Sequence, residues 1–300
     1  MTPLEQVRAN SKVHPVVRSA LKKATGREPS PALAQKPFWA PSFFELEKSS
    51  AYRAATTEQQ QDILDRCCTQ VLEEALHIED CGMSYTARMA ALARTEQEKV
   101  LYSLFSADEA THFMWMKGAL GEAASASKPN AFHELLSQSI HSHAPDSLVF
   151  LIQVFLEGWG LHRYSDLMNA CQNPSLREAL QVILQDEARH HGSGVVFNRE
   201  RKILEQLSPG VRSDLLATLQ QFLNMVRVGP ISVLSAIEEG CGGFSRAQRI
   251  RTLEELRSTE HSQKRLNLLK GLMIHESAFE LVERLENSNA FTPLSPEESV

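Results

Sequence analysis

The sequence predicts an all-α protein built on a four-helix bundle with one long crossover, and three observations predict it. Apolar residues recur with a period near 3.6 over long segments, and almost nothing alternates as a half-buried strand does. Helix-start signals separate those segments. The long segments fall into two pairs, each joined by a short break, and a single long connection (121–145) separates the pairs.

Residues 1–56 read as an N-terminal helical extension and 57–207 as the bundle. The first bundle helix opens at a Thr57–Gln60 capping box and keeps its period to about Ala93. A second box, TEQE at 95–98, starts a helix that runs to about Leu120. GEAASASKPNA then breaks the pattern, with a weaker helical stretch around 131–141 inside the crossover. The third long helix starts near PDS (145–147) and ends by Gln172. Asn173 caps the fourth, with Pro174 at its first position, and it continues to about Leu207. Ser208–Pro209 opens C-terminal helices over 208–285, and Ser245 starts a last long one. The remainder, 286–300, ends in TPLSPEESV and reads as a flexible tail. The C-terminal helices are expected to pack on the bundle and help form a substrate pocket; a homodimer interface is the alternative use of their surface.

Composition narrows the function. A hydrophobic share of 42% and a charged share of 23% are those of a soluble globular protein. The net charge of -6 gives no support to a nucleic-acid or anionic-membrane partner. The first 28 residues lack the apolar core of a secretory signal, and the longest apolar run, SLVFLIQVFL, is too short to span a bilayer. Five cysteines without a CxxC pair read as reduced thiols in a cytoplasmic protein.

The chemistry lies in a repeat. DEATH at 108–112 returns as DEARH at 186–190, and the same shift carries EDCGM (79–83) onto EGWGL (157–161). Each half therefore has a Glu, then thirty residues later the Glu of an Asp-Glu-Ala-x-His. In an antiparallel pair, residues equally far from the turn are level. Glu79 and Glu109 are centred on 94, and Glu157 and Glu187 on 172, both at helix breaks. Glu and His at i, i+3 share a face, so four carboxylates and two imidazoles reach one height of the bundle. Glu74 is the rival on the first helix, heading its own Glu-x-x-His with His77. Its face carries Gln70, His77 and Arg88, however, whereas the Glu79 face (Leu72, Ala75, Gly82, Thr86, Met89) is small or apolar. His77 is therefore expected on the outer face. Four facing carboxylates cannot all stay ionised in a core; two divalent cations remove that cost.

At this point the chain resembles the ferritin-like di-iron carboxylate superfamily over about residues 57–207. That pattern takes one Glu from each of two helices and Glu-x-x-His from the other two. The resemblance implies that Glu79, Glu109, His112, Glu157, Glu187 and His190 hold two iron ions, or a manganese–iron pair. DEARH also looks like the motif of acyl desaturases and ribonucleotide reductase small subunits. There the acidic residue before the ligand Glu holds a histidine on the opposite helix, which implies Asp108 with His190 and Asp186 with His112. His162 reads as structural and His191 as a residue pointing elsewhere, with a pocket role as its alternative. Gly82, Gly160 and Gly194 serve either close helix packing or room for O2 and substrate. Phe105, Phe113, Met116, Leu161 and Ile183 are core residues first and pocket residues second.

Within the superfamily, a rubrerythrin-like peroxidase lacks its cysteines here, and the reductase radical tyrosine has Met116 in its place. The extra histidine of the arylamine N-oxygenases is replaced by Ile183. The resemblance thus implies an oxygenase or oxidase that takes O2 and a small, partly apolar substrate, for hydroxylation, N-oxygenation or oxidative cleavage, with an external electron donor. A ferroxidase or storage-type bundle is the alternative.

Overall fold

Thr56, one residue before the expected position, caps the first long helix, and its capping box with Gln59 is complete. The computed structural model describes residues 38–125 and 127–300, together with 16, 17, 19, 20 and 22. The rest of the extension expected over 1–56 lies outside the described residues. Within 38–56, two 3-10 turns (Pro41–Phe44 and Leu46–Lys48) lead to α1 (Ser50–Ala54). Trp39 is fully buried and donates its indole N–H to the Leu167 carbonyl (2.9 Å).

The bundle consists of α2 (Thr57–Ala91), α3 (Glu96–Leu120), α5 over 145–170 and α6 (Pro174–Glu200). Thr95 caps α3 and Asn173 caps α6, each with its side-chain oxygen on a backbone N–H of the first turn. The crossover carries a 3-10 turn (Gly121–Ser125) and α4 (Ala131–Ser142), whose Asn130–His133 box fixes its start. Helices α2 and α3 pack as one antiparallel pair, α5 and α6 as the other, and α3 meets α6 across the middle. Among the described residues there is no strand. No helix among them is long and apolar enough to cross a membrane.

The third helix contains a feature that no local signal announced. It is α-helical at Pro145–Leu148, π-helical at Val149–Leu156 and α-helical again from Glu157 to Ala170. Val149, Phe150, Leu151, Ile152, Gln153, Val154 and Phe155 are all buried, as a stretch apolar on every side requires. The π segment lies beyond Glu157 from the turn at 171–173. The thirty-residue count from Glu157 to Glu187 therefore runs through regular helix.

After Glu200 the fourth helix breaks at Lys202 (φ 50°) rather than continuing to Leu207, and α7 (Ile203–Gln206) follows. Then come α8 (Pro209–Arg227), α9 (Ile231–Gly240), α10 (Arg246–Glu255), α11 (Ser258–His275) and α12 (Phe279–Asn287). The single last helix expected from Ser245 is thus three helices, broken at Arg257 (φ 52°) and Ser277 (φ 61°). The flexible tail also needs correction. Ala290 and Phe291 are buried, the Leu294 N–H donates to the Arg227 carbonyl (3.0 Å), and Arg227 Nε donates back to Thr292 O (2.7 Å).

Helices α7, α8, α11 and α12 share one hydrophobic core with the crossover and the π segment, whereas Ala236 and Ile237 of α9 belong to a second core with α2. Helix α8 packs on α4, α11 on α5, and α9 covers α2, where Gly240 sits against Ile63. The cysteines form no disulfide among the described residues, and burial pushes the Cys67 and Cys81 thiols up to about 12, which disfavours the thiolate.

Candidate metal centre

Each of the four bundle helices contributes to one buried cluster. Glu79 comes from α2, Glu109 and His112 from α3, Glu157 from α5, and Glu187 and His190 from α6. His112 and His190 have no solvent exposure, and Glu79, Glu109 and Glu187 are buried with them. Ligand atoms of Glu79, Glu109, His112 and Glu187 lie within 4.8 Å of one another, as do those of Glu157, Glu187 and His190.

The arrangement has a near two-fold pattern. Glu109 sends one oxygen toward each ring, at 4.0 Å from His112 Nδ1 and 3.2 Å from His190 Nδ1. Glu187 does the same, at 3.7 Å and 3.9 Å. Glu79 stands at the His112 end, 3.2 Å from Nδ1, and Glu157 at the His190 end. The outward nitrogens carry the aspartates: His112 Nε2 meets Asp186 (3.0 Å) and His190 Nε2 meets Asp108 (3.4 Å). Arg189 spans both, hydrogen-bonded to Asp186 and 3.6 Å from Asp108. In the neutral ring, an Nε2–H held by a carboxylate leaves Nδ1 as a lone pair directed inward.

Electrostatics point the same way. Burial raises the Glu109 carboxyl to about 7, with the Glu79 charge adding to it, and raises Glu157 to about 8. Burial, then the Glu109 charge, lifts Glu187 well above the ordinary range. Burial opposes charge on both imidazoles. Hydrogen bonds to Asp186 and Glu79 overcome it at His112, and the bond to Asp108 with the neighbouring Glu109 and Glu187 carboxylates lifts His190 to about 11. Burial also opposes ionisation of Glu79, but His112 and Tyr164 hold it below the usual value. The cluster therefore retains protons that cations would replace. Two buried atoms, His190 Nδ1 and Glu157 Oε2, have no hydrogen-bond partner. A buried polar atom normally has one, and a cation would satisfy both. The donor set, carboxylate oxygens with imidazole nitrogens, suits iron or manganese.

The other singled-out residues separate clearly. Glu74 lies outside the cluster and pairs with Arg163. His77, expected on the outer face, is half-buried under the crossover, 2.9 Å from Ser127 Oγ and against the His133 ring. His162 bonds within its own helix to Gly158 O, and His191 Nδ1 donates to the Gln153 carbonyl (2.8 Å). A Cβ on Gly194 would lie 2.3 Å from Gln153 Cβ, so this glycine serves close packing. A Cβ on Gly160 would meet nothing within 4 Å, because Gly160 faces a cavity.

Gly82 makes room for a carboxylate, since its Cβ would lie 2.3 Å from Glu109 Oε2 and 2.6 Å from Cδ. We therefore expect Gly82→Ala to push the Glu109 carboxylate aside. Alanine is intrinsically the better helix former by about 1 kcal/mol, so metal content should fall without loss of metal-free stability. Metal analysis beside a thermal melt checks this, and full metal retention would contradict it.

Sequence reasoning missed several residues around the cluster. The Tyr164 hydroxyl donates to Glu79 Oε1; its signal was the two-turn spacing from Glu157. Gln153 accepts from Tyr85 (2.9 Å) and Tyr102 (2.8 Å) and donates to His190 O (3.0 Å), tying the π segment to α6. No local pattern marks that contact. An apolar cavity opens on Glu79, Glu109, Glu157 and Glu187, with an empty volume, mouth included, of ≈ 760 Å3. Its walls are α2, α5 and the crossover helix α4, through Phe132, Leu136 and Ile140. The C-terminal helices, expected to help form the pocket, do not line it. Phe222 of α8 stands behind the wall, 5.4 Å from Phe132 and 5.5 Å from Trp159 between ring centres.

The comparison with known families agrees with this architecture. The family model of the ferritin-like domain matches residues 41–194, about half of the chain. The chain belongs to the ferritin-like family. No curated protein and no solved structure matches it significantly. The matched segment of this ferritin-like chain begins at the 3-10 turns and ends on α6 at Gly194, so it contains all six clustered side chains. The buried Glu/His cluster can hold a metal ion.

Proposed function

We propose that this ferritin-like protein is an O2-activating non-haem di-iron oxygenase acting on a small, partly apolar organic substrate. The observation that carries the reading is the apolar cavity that ends on the carboxylate cluster. A ferroxidase or storage bundle needs a polar way in for hydrated cations. Here Ile152, Leu156, Trp159, Leu136 and Ile140 wall the space beside Glu157, as suits a small-molecule site.

Glu79, Glu109, His112, Glu157, Glu187 and His190 would hold two iron ions, or a manganese–iron pair, with four carboxylate charges against four positive ones. Reduced iron held there would supply electrons and open coordination positions for O2. Glu109 and Glu187 reach toward both ends of the cluster, whereas Glu79 and Glu157 close them. Asp186 and Asp108 fix the imidazole tautomers. Tyr164 holds Glu79 in place. The cavity walls exclude water and hold the substrate beside Glu157, the one clustered carboxylate that is only half-buried. Hydroxylation would put one oxygen atom into the substrate and release the other as water. It would draw two electrons from the substrate and two from an external donor.

Anaerobic iron loading followed by O2-uptake assays with candidate substrates tests the reading. We expect substrate-dependent uptake, and we expect Gly160→Leu to suppress it while iron content is retained, because the added side chain fills the cavity. Uptake driven by ferrous iron alone, and indifferent to every organic molecule, would support the ferroxidase alternative instead.

A further inference from the structure

We propose that Arg163 anchors a carboxylate, so that the cavity takes an amphipathic monocarboxylic acid whose apolar body points at the Glu/His cluster. The proposal rests on the oxygenase reading for the fate of the bound acid, not for its binding. Apart from the clustered glutamates, Arg163 is the charged residue in the lining of an otherwise mostly apolar chamber. It lies on the α5 stripe formed by Leu156, Trp159, Gly160 and Leu167, at helical spacing. Its Cα is six residues beyond Glu157, an axial rise of about 9 Å. Helical side chains tilt toward the N-terminus, which here means toward Glu157.

The charges around Arg163 do not balance internally. One of its amino groups pairs with Glu74, both side chains being about 30% exposed, and a guanidinium has five donors in all. Arg265 is half-buried, and among the described residues no ion pair joins it to a carboxylate; its Nε donates to the His261 carbonyl (3.3 Å). Burial, then the neighbouring Arg163 charge, lowers the Arg265 guanidinium, and Glu74 opposes them. Arg163 thus has one carboxylate partner, Glu74, and among the described residues Arg265 has none, so a second anion would complete the set. A carboxylate matches a guanidinium edge in bidentate fashion. A phosphate would bring more charge and a third oxygen to a wall that is otherwise Leu156, Trp159 and Leu167.

Decanoate, methyl decanoate and decanol share one apolar body and differ in the head group. Their binding to the full-length protein, kept free of O2, can be measured by calorimetry without any turnover. We expect one decanoate per chain, bound at least about tenfold more tightly than the ester or the alcohol, as for a charge-assisted contact. In Arg163→Met that preference should vanish while the ester binds as before. In Glu74→Gln, which removes the competing anion, decanoate should bind several-fold more tightly. Equal binding of acid and ester to the unmodified protein would overturn the proposal. So would an acid preference that survives in Arg163→Met, or decanoate affinity unchanged in Glu74→Gln. Acid-selective binding without substrate-dependent O2 uptake would instead leave the anchor standing and remove the oxygenase reading.

Discussion

Glu79→Ala is expected to abolish the proposed O2-dependent chemistry and Glu74→Ala to leave both proposed metals bound; this contrast is the largest effect expected of any single substitution here. Glu79 is buried at the His112 end of the cluster, and Tyr164 and His112 both hold its carboxylate. Without it, three carboxylates face four cationic charges, and one coordination position opens. Loss of an outer-sphere partner already costs roughly 10–100-fold in metal affinity or activity, so loss of the carboxylate itself should exceed about 100-fold. Metal-free stability should hardly fall, because a buried carboxylate is being removed. Glu74 sits outside, in a half-exposed ion pair with Arg163, and a surface change of that kind is worth only about 0.5 kcal/mol or less. Metal content and O2 uptake of the two variants check the contrast, and iron lost from Glu74→Ala but kept by Glu79→Ala would reverse the assignment.

Phe222→Ala is expected to have the second-largest effect, this time on stability. Its ring is 2% exposed and touches Phe132, Phe155 and Trp159. Removing a buried phenylalanine costs about 3–5 kcal/mol, which for a chain of this size lowers the melting temperature by roughly 5–8 °C. Phe132 and Trp159 line the cavity and lose their backing, so substrate-dependent O2 uptake should fall while iron content holds. A thermal melt paired with iron analysis checks both halves. A variant as stable as the parent would mean that α8 is not part of the same core.

The cluster was legible in the sequence for a geometric reason. Two equal thirty-residue offsets, each centred on a helix break, fix the register of both antiparallel pairs. Once the register is fixed, i, i+3 spacing brings Glu109 with His112 and Glu187 with His190 to the same height. The helix caps at Thr95, Asn173, Ser208 and Ser245 were equally legible, because each is a side-chain oxygen on a first-turn N–H. What escaped depends on contacts distant in sequence. The π turn has no composition of its own; it is buried on every side, and its Gln153 bridges two tyrosines and α6. The breaks at Arg257 and Ser277 carry no glycine or proline, yet both residues adopt left-handed conformations. The tail looked frayed because its polar residues dominate, yet Ala290 and Phe291 pack it down and hydrogen bonds with Arg227 hold it. The cavity escaped for the same reason: its third wall comes from the crossover, whose placement no periodicity predicts.

The six side chains are expected to form one dinuclear site. Elemental analysis of the iron-reconstituted full-length protein tests it most directly. The duplicated motif, the two carboxylates shared between the histidines and the partnerless His190 Nδ1 and Glu157 Oε2 predict a value approaching two irons per chain. A value near one, with no gain on further reconstitution, would contradict it.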